Sequence, residues 1–593
     1  MSEMRSRTEF RGLPTHHNLV LHDSVDLEPA SRQPHERISG FRSSGEKPFV
    51  PASLHRVIVR GNAVVLRHAD CFLGSLFPLE ERVRNTLNFT WDVPTAKAAP
   101  FGIPLALLCG ALMGFTHIPF ALSVLTAFPL AGLLYLSARE TTPRLAARVA
   151  FWGWLAFWAV HLFWLPQSFS DLFRTEGGWV ASLAVWILMP LVWIIEAGFN
   201  AGLTWVAHRV TKTPVGFLGC MAGGIVLLEW ARGLGPLAFP WGNFGYALIG
   251  SPLAQLSSLG GVFLGSLLVT IIAASLAALG WFEWRWLIVS GILVVGALGY
   301  GLTRPAPPVA TKTAWLAQGN IDVLRRFRGT NQSDLQIYTG IIKKAPKDAL
   351  IVLPEAALDL GVVAKLEAFP LPAALRLPSV QRIISGVADG RQGARLNAVA
   401  AVSNSSLLGT TNKTHLVPFG EYYPLRREAS FIYDSVFRAM GLGSIGSSEP
   451  SREQRVLELD SERFGAFVCY DSIFQSLPRG LVARGAQVLV ETTNDGWFGG
   501  GSGNAQHFAM DQIRAIETGR YLLRVANTGI TAGIDPSGRV LARLPQNVEA
   551  GLLTRYTPID AITPYVLLGD WVLWLALVLS LFSTVSARAG VRW

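Results

Sequence analysis

Phe464-Gly465-Ala466-Phe467-Val468-Cys469-Tyr470 is a short apolar run that stops at a cysteine. Its first five residues have the length and composition of a buried strand, so the thiol falls at a strand end. Runs of the same kind stand on either side: Thr313–Leu316, Ala349–Leu353, Arg382–Val387, Asn397–Val402, Gln487–Glu491 and Thr531–Ile534. Helix-like stretches such as Asn504–Thr518 lie between them. Strands and helices in alternation predict an α/β domain. No internal repeat is present.

Two other polar residues occupy comparable places. Glu355 follows Ile351-Val352-Leu353-Pro354, and Lys413 lies in Thr411-Asn412-Lys413-Thr414-His415-Leu416-Val417-Pro418-Phe419-Gly420-Glu421. Strand ends and the loops beyond them are where α/β folds carry catalytic groups. Cys, Lys and Glu together suit acyl transfer. The carboxylate takes the thiol proton, the ammonium steadies thiolate and then oxyanion, and the Tyr470 backbone N–H is a second oxyanion donor. A thioester acyl-enzyme would form and be released by a second nucleophile. Taken alone, however, a cysteine ending a strand is more often a buried filler, and a single Lys or Glu in a loop is more often solvated surface. Spacing leaves both readings open.

Working outward, the chain before residue 304 has another character. Half of the whole chain's 593 residues are hydrophobic and 16% are charged, against roughly 25% charged in a typical soluble domain. Runs long enough to approach a membrane span of about 20 residues occur near 101–118, 121–137, 150–167, 179–206, 215–231, 258–279 and 283–302, with another near 564–586. The first two are short. With the Arg-rich N-terminus placed in the cytoplasm, Arg139, Arg144 and Arg148 fall inside, as do His208, Arg209, Lys212, Arg285, Arg588 and Arg592. The opposite loops, 168–178 and 232–257, carry one Arg each. This pattern obeys the positive-inside rule and places residues 303–563 on the far side, the periplasm of a two-membrane bacterium. The 19 Trp suit a chain with membrane–water interfaces.

The formal charge of +10 is accounted for by these flanking basic residues, and no nucleic-acid signature accompanies it. Four cysteines, Cys71, Cys109, Cys220 and Cys469, show no CxxC spacing and no accompanying His cluster, so no zinc site is expected. Cys109 and Cys220 sit in apolar runs as small core hydrophobes. Residues 1–50 read as disordered and residues 51–99 as mixed, and neither has the form of a signal peptide.

The polar motifs resemble the nitrilase superfamily, and within it the membrane-embedded apolipoprotein N-acyltransferase family, over about residues 100–590. Pro354-Glu355-Ala356-Ala357 resembles the family's base motif, and Asn412 through Glu421 is very similar to its lysine motif. Cys469-Tyr470 resembles its nucleophile motif. Asn494-Asp495-Gly496-Trp497-Phe498-Gly499 with Gln506-His507 resembles the loop that follows. Arg524 with Asn527-Thr528-Gly529-Ile530-Thr531 resembles the next strand, and Gln318-Gly319-Asn320-Ile321 the start of the catalytic domain. In the apolar part, Glu229-Trp230-Ala231-Arg232 and Phe239-Pro240-Trp241-Gly242-Asn243-Phe244-Gly245-Tyr246 also match. Each motif is weak alone; all of them in order are specific. Two positions depart from the family pattern: Asp471 stands where Glu is usual and Gly496 where Ala is usual.

The resemblance implies about eight membrane helices carrying a periplasmic nitrilase-like domain, an α-β-β-α sandwich. It divides the chain into an extension at 1–99, helices at 100–303, a catalytic domain at 304–562 and a last helix with a tail at 563–593. It implies Glu355 as general base, Lys413 as oxyanion stabiliser and Cys469 as nucleophile, supported by Glu421, Tyr470 and Asp471. Trp497, Phe498, Trp241, Tyr246 and Arg232 become candidate substrate contacts, against the plainer roles of core aromatics, interfacial anchors and a partner for Glu229. The implied reaction moves a fatty acyl chain from a phospholipid to a diacylglyceryl-cysteine apolipoprotein at the inner membrane, without metal, cofactor or nucleic acid. A nitrilase-like amidase, a specialised acyltransferase of a conjugal-transfer system and an inactive membrane scaffold are the alternatives.

Overall fold

The computed structural model describes residues 102–117, 120–322, 332–359, 382–389, 396–404, 406–426, 428–439, 450–451, 454–499 and 501–589. The extension expected at 1–99 lies outside the described residues.

The apolar part begins with α1 (Gly102–His117), a 3-10 turn at Phe120–Thr126 and α2 (Ala127–Ala138). It continues through α3 (Pro143–His161), α4 (Trp164–Leu188), α5 (Pro190–Val210), α6 (Pro214–Ala231), α7 (Ser257–Ala278) and α8 (Arg285–Thr303). Thr-Pro pairs start α3 and α6. Thr142 accepts the Leu145 N–H at 3.3 Å and Thr213 accepts the Gly216 N–H at 3.1 Å, while Pro143 and Pro214 occupy positions whose N–H would be unpaired anyway.

Among the described residues, four stretches are long and apolar enough to cross a membrane: Val185–Val210, Pro214–Ala231, Pro252–Trp281 and Arg285–Thr303. A fifth is the pair Pro143–His161 and Trp164–Ser170, bent by 45°. Gly102–His117, Leu122–Ala138 and Val572–Val585 are shorter apolar helices. The run expected as one span at 150–167 is thus two helices. Pro166 has no N–H to give the Leu162 carbonyl, so the chain breaks after His161 and restarts with Pro166 in the new first turn. Side chains such as Ile292 (67% exposed), Val295 (69%) and Trp574 (71%) face outward. Apolar surface of that extent is unfavourable in water, by about 25 cal/mol per Å², and is favourable against lipid.

The described residues of the second part form two six-stranded sheets. The first is built from β1 (Lys312–Gln318), β2 (Leu350–Asp359), β3 (Arg382–Asp389), β4 (Leu396–Ser403) and β5 (Ser406–Asn412), with α9 (Gln332–Ile342) between β1 and β2. After α10 (Ser430–Ala439) the second follows: β6 (Leu457–Leu459), β7 (Glu462–Val468), α11 (Ser476–Ala483), β8 (Val488–Thr493), α12 (Gly503–Thr518), β9 (Leu522–Ala526), β10 (Ala532–Ile534) and β11 (Val540–Arg543). β12 (Ala550–Tyr556) returns to the first sheet, before α13 (Pro564–Leu568) and the apolar α14 (Val572–Ala589). The spatial orders are β12-β1-β2-β3-β4-β5 and β11-β10-β9-β8-β7-β6. In each sheet the three parallel strands, β1-β2-β3 and β7-β8-β9, lie inside antiparallel neighbours.

Leu316, Val352, Ile384 and Val399 of the first sheet pack on Ala466, Val468, Val490 and Val525 of the second. Tyr338 and Ile341 of α9 cover the outer face of the first sheet, and Leu481 of α11 with Phe508 of α12 cover that of the second. The result is the α-β-β-α sandwich expected. All seven runs read as strands are strands; β5, β6, β11 and β12 were not anticipated, and β9 only through the resemblance at Arg524.

The sandwich rests on the helices through a continuous apolar core, in which Tyr470, Ile473, Met510, Ile513 and Ile516 join residues of the helical part. At Gly260–Gly261 the helical dihedrals of α7 are interrupted. The Val262 N–H goes instead to Glu517 Oε1 of α12, at 2.7 Å.

Candidate active site

Lys413 and Cys469 directly follow the ends of β5 and β7, whereas Glu355, expected at a strand end, lies within β2, which runs on to Asp359. Cys469 is the first residue after β7 and has a φ of 49°, in the left-handed region that L-residues rarely adopt. It opens a one-turn 3-10 helix, Cys469–Ile473, and is almost fully buried. A side chain held in such a conformation at a strand end marks a site where the surrounding structure overrides local preference.

Glu355 sits where β2 departs from regular pairing with β3, between Leu353 and Leu358. Ala356 beside it has a φ of 47°. The neighbouring strand passes very close here: a Cβ on Gly386 would lie 2.4 Å from the Pro354 carbonyl oxygen and 2.5 Å from Glu355 Cα. Lys413 directly follows β5, and its N–H donates to the Asn397 carbonyl at 2.8 Å.

The side chains converge. Lys413 Nζ lies 2.8 Å from Glu421 Oε1 and 3.7 Å from Glu355 Oε1, and only 2% of its side chain is exposed. Asn397 Nδ2 donates to Glu355 Oε1 at 2.6 Å. Glu421 Oε2 accepts the Val417 N–H at 2.9 Å, which closes its own loop around the ammonium. Burial disfavours the charge on Lys413, but the Glu421 and Glu355 carboxylates outweigh it and raise its pKa. The group therefore stays an ammonium. The Cys469 thiol is within electrostatic reach of both Glu355 and Lys413. Burial first, and then the Glu355 charge, hold its pKa well above the ordinary 9.0, while Lys413 pulls the other way. At rest the Cys469 sulfur is a thiol, which a base would have to deprotonate before it could attack.

Asp471 ties the lysine segment to the cysteine turn. Its Oδ1 accepts the backbone N–H groups of His415 (2.7 Å) and Thr414 (3.2 Å), and Oδ2 accepts that of Val468 (3.3 Å). The shorter carboxylate at this position is thus fully engaged by the backbone on both sides. Tyr470 turns its hydroxyl away, donating to the Ala238 carbonyl of the helical part at 2.7 Å.

The other candidates lie where the helices meet the sandwich. Trp241 is buried and donates its indole N–H to Gln506 Oε1 at 2.7 Å; Tyr246 is buried and accepts from Arg514 Nη2 at 3.1 Å. Neither lines an open surface, so packing of one part on the other accounts for both. Phe498 packs edge-on against Trp164 of α4, and Trp497 is partly exposed in the same turn, Asp495–Phe498. The pairing of Arg232 with Glu229, the plainer alternative to substrate contact, is not made. Arg232 approaches Glu196 Oε2 at 3.6 Å and stands over the Trp158 ring, and Glu229 accepts the Phe244 N–H.

Asn397 and Gly386 were not singled out beforehand. The signal for Asn397 was an amide inside the apolar run Leu396–Val402. Gly386 carried no signal, because the close approach it permits is between distant segments.

A two-sheet α/β sandwich on which a buried Cys, Lys and Glu converge defines a carbon–nitrogen hydrolase. The carbon-nitrogen hydrolase family model matches residues 316–564, and the apolipoprotein N-acyltransferase N-terminal domain model matches residues 109–275. The chain is 32% identical to apolipoprotein N-acyltransferase from Azotobacter vinelandii over 79% of its own length and 91% of that protein. Proteins of the same name from Chromobacterium violaceum (33%; 80% and 92%) and Nitrosomonas europaea (32%; 82% and 97%) are similar to the same extent. The chain belongs to the apolipoprotein N-acyltransferase family. It is an acyltransferase of lipoprotein processing, and the inactive scaffold is set aside.

Proposed function

We propose that this enzyme transfers a fatty acyl chain from a membrane phospholipid to the N-terminal amine of diacylglyceryl-cysteine apolipoproteins, through a thioester on Cys469. The carrying observation is the convergence of Lys413 Nζ with the carboxylates of Glu355 and Glu421 beside a thiol that is not ionised at rest. Glu355 takes the thiol proton as Sγ attacks the ester carbonyl, and Lys413 steadies the oxyanion. The tetrahedral intermediate collapses, Glu355 returns the proton to the leaving lysophospholipid oxygen, and an acyl-Cys469 thioester remains. The α-amine of the apolipoprotein then attacks the thioester. Its proton passes to Glu355, the amide forms, and the thiol is regenerated. Glu421 orients Lys413, and Asp471 holds the lysine segment on the cysteine turn.

The charge distribution of the loops supports an inner-membrane protein with its catalytic domain, residues 304–562, in the periplasm and its termini in the cytoplasm. Such a placement brings both lipid-anchored substrates to one surface. A buried thiol also limits water attack on the thioester.

Intact-mass measurement of purified protein after incubation with phospholipid tests this reading, with Cys469→Ala as the control. A fatty-acyl mass gain in the wild type alone, discharged by a diacylglyceryl-cysteine peptide, is expected. A folded wild type that gains no acyl mass, or one that turns over a small amide instead, refutes it.

A further inference from the structure

Below the cysteine turn lies a group of buried polar side chains that the proposed chemistry does not use. His507, on the first turns of α12, places Nε2 2.8 Å from Ser472 Oγ, three residues beyond the nucleophile. Its Nδ1 is 3.1 Å from Asp495 Oδ1. Arg524 holds Asp495 Oδ2 at 2.5 Å and Glu491 Oε2 at 2.5 Å, and also meets Asp511. Ser472, His507, Asp495, Asp511, Glu491 and Arg524 are all fully buried. No substrate reaches them, so the Ser472–His507–Asp495 chain is not a second nucleophile.

The residue before His507 faces the other way. Gln506 Oε1 accepts two indole N–H groups, from Trp164 (3.0 Å) on α4 and from Trp241 (2.7 Å) before α7. Gln506 Nε2 donates to the His161 carbonyl at 3.1 Å, at the break between α3 and α4. The His507 ring also stacks on the Trp241 indole, 6.2 Å between centroids at 24°. Two adjacent residues therefore bind three segments of the helical part with one side chain and the nucleophile turn with the other. The turn they hold includes a residue at a φ of 49°, which needs outside contacts to persist.

We propose that Gln506 and His507 are positioning residues through which the seating of the membrane helices sets the conformation of the Cys469 turn. The contact that matters for Cys469 is the one between His507 Nε2 and Ser472, not the one to Asp495. This goes beyond the acyl-transfer reading and does not require the identity of either substrate.

The test measures alkylation of Cys469 by iodoacetamide in the full-length protein in lipid nanodiscs, with no acyl acceptor, alongside thermal melting. In His507→Gln the amide nitrogen or oxygen occupies the place of Nε2 and keeps Ser472; in His507→Asn it occupies the place of Nδ1 and keeps Asp495. Loss of one hydrogen bond of this kind corresponds to about a tenfold change. His507→Asn and Ser472→Ala should each slow alkylation about tenfold, the two together no further, and His507→Gln should approach the wild type. Trp241→Phe, which deletes one donor to Gln506, should slow alkylation in the wild type and have no effect in His507→Asn. Equal slowing by Asn and Gln, additive effects of Ser472→Ala and His507→Asn, or unchanged alkylation in all variants overturns the proposal. Should the His507 variants fail to melt cooperatively, the Ser472→Ala and Trp241→Phe pair decides it: their additivity refutes the coupling. Failure of the acyl-transfer reading would instead appear as normal alkylation of a wild type that never gains acyl mass.

Discussion

Asp471 Oδ1 accepts the backbone N–H of His415 at 2.7 Å, so the segment that carries the ammonium and the turn that carries the thiol form one hydrogen-bonded unit. The same carboxylate reaches Thr414 and Val468. Asp471→Ala leaves these buried donors without an acceptor, at about 1–3 kcal/mol each. We expect a clear fall in melting temperature and at least a tenfold loss of acyl transfer. Asp471→Asn retains one acceptor oxygen and should lose less of both. Equal activity in the wild type and Asp471→Ala would show that the link is dispensable.

Glu421 lies nearer to the Lys413 ammonium than Glu355 does, 2.8 Å against 3.7 Å. In Glu421→Gln the ammonium loses its closer counter-charge and moves toward Glu355, which then serves it as an ion-pair partner and is a weaker base. The expected outcome is a fall in kcat of roughly 10- to 100-fold with KM for phospholipid little changed, because the defect is in proton transfer and oxyanion support. A change confined to KM would place Glu421 in substrate binding instead.

The thiol of Cys469 is held well above its ordinary 9.0, by burial first and then by Glu355. An acid whose pKa is raised stays neutral below that value, so the thiolate fraction grows with pH through and beyond 9. Cys469 alkylation should rise continuously from pH 7 to pH 9.5 without levelling. A plateau below pH 8 would indicate a preformed thiolate–ammonium pair and contradict the need for Glu355 as base.

Gly386 allows β3 to pass under the Glu355 peptide. A methyl group there meets backbone rather than a movable side chain. Gly386→Ala should destabilise the protein by about 1–3 kcal/mol and displace Glu355, so activity falls more than melting temperature suggests. Wild-type activity in this variant would show that β2 shifts without cost to the site.

Much of this molecule was legible in the chain itself. Hydropathy marked the apolar segments, because a span is a run of adjacent residues and needs no partner to be seen. The strands carrying Glu355 and Cys469 were legible for the same reason: β2 and β7 are buried on both faces, so they read as unbroken apolar runs. β5 (Ser-Leu-Leu-Gly-Thr-Thr-Asn) escaped notice because it is half-exposed and carries polar residues, and its strand form comes from pairing with β4. The break after His161 was missed because the apolar run continues through Pro166, which interrupts hydrogen bonding without interrupting hydropathy.

What the chain determined by itself is therefore local: which segments are apolar, which ends carry a thiol, an amine or a carboxylate, and which family those motifs resemble. The tertiary structure alone decided that Lys413 prefers Glu421 to Glu355, that Asn397 and Gly386 hold Glu355 in place, and that Arg232 pairs with Glu196. It also decided that Gln506 and His507 face the helices and the Cys469 turn at once. Each of these is a contact between segments far apart in sequence. Its free energy depends on a distance of a few ångströms that only the packed sheets and helices set, and no pattern of neighbouring residues encodes it.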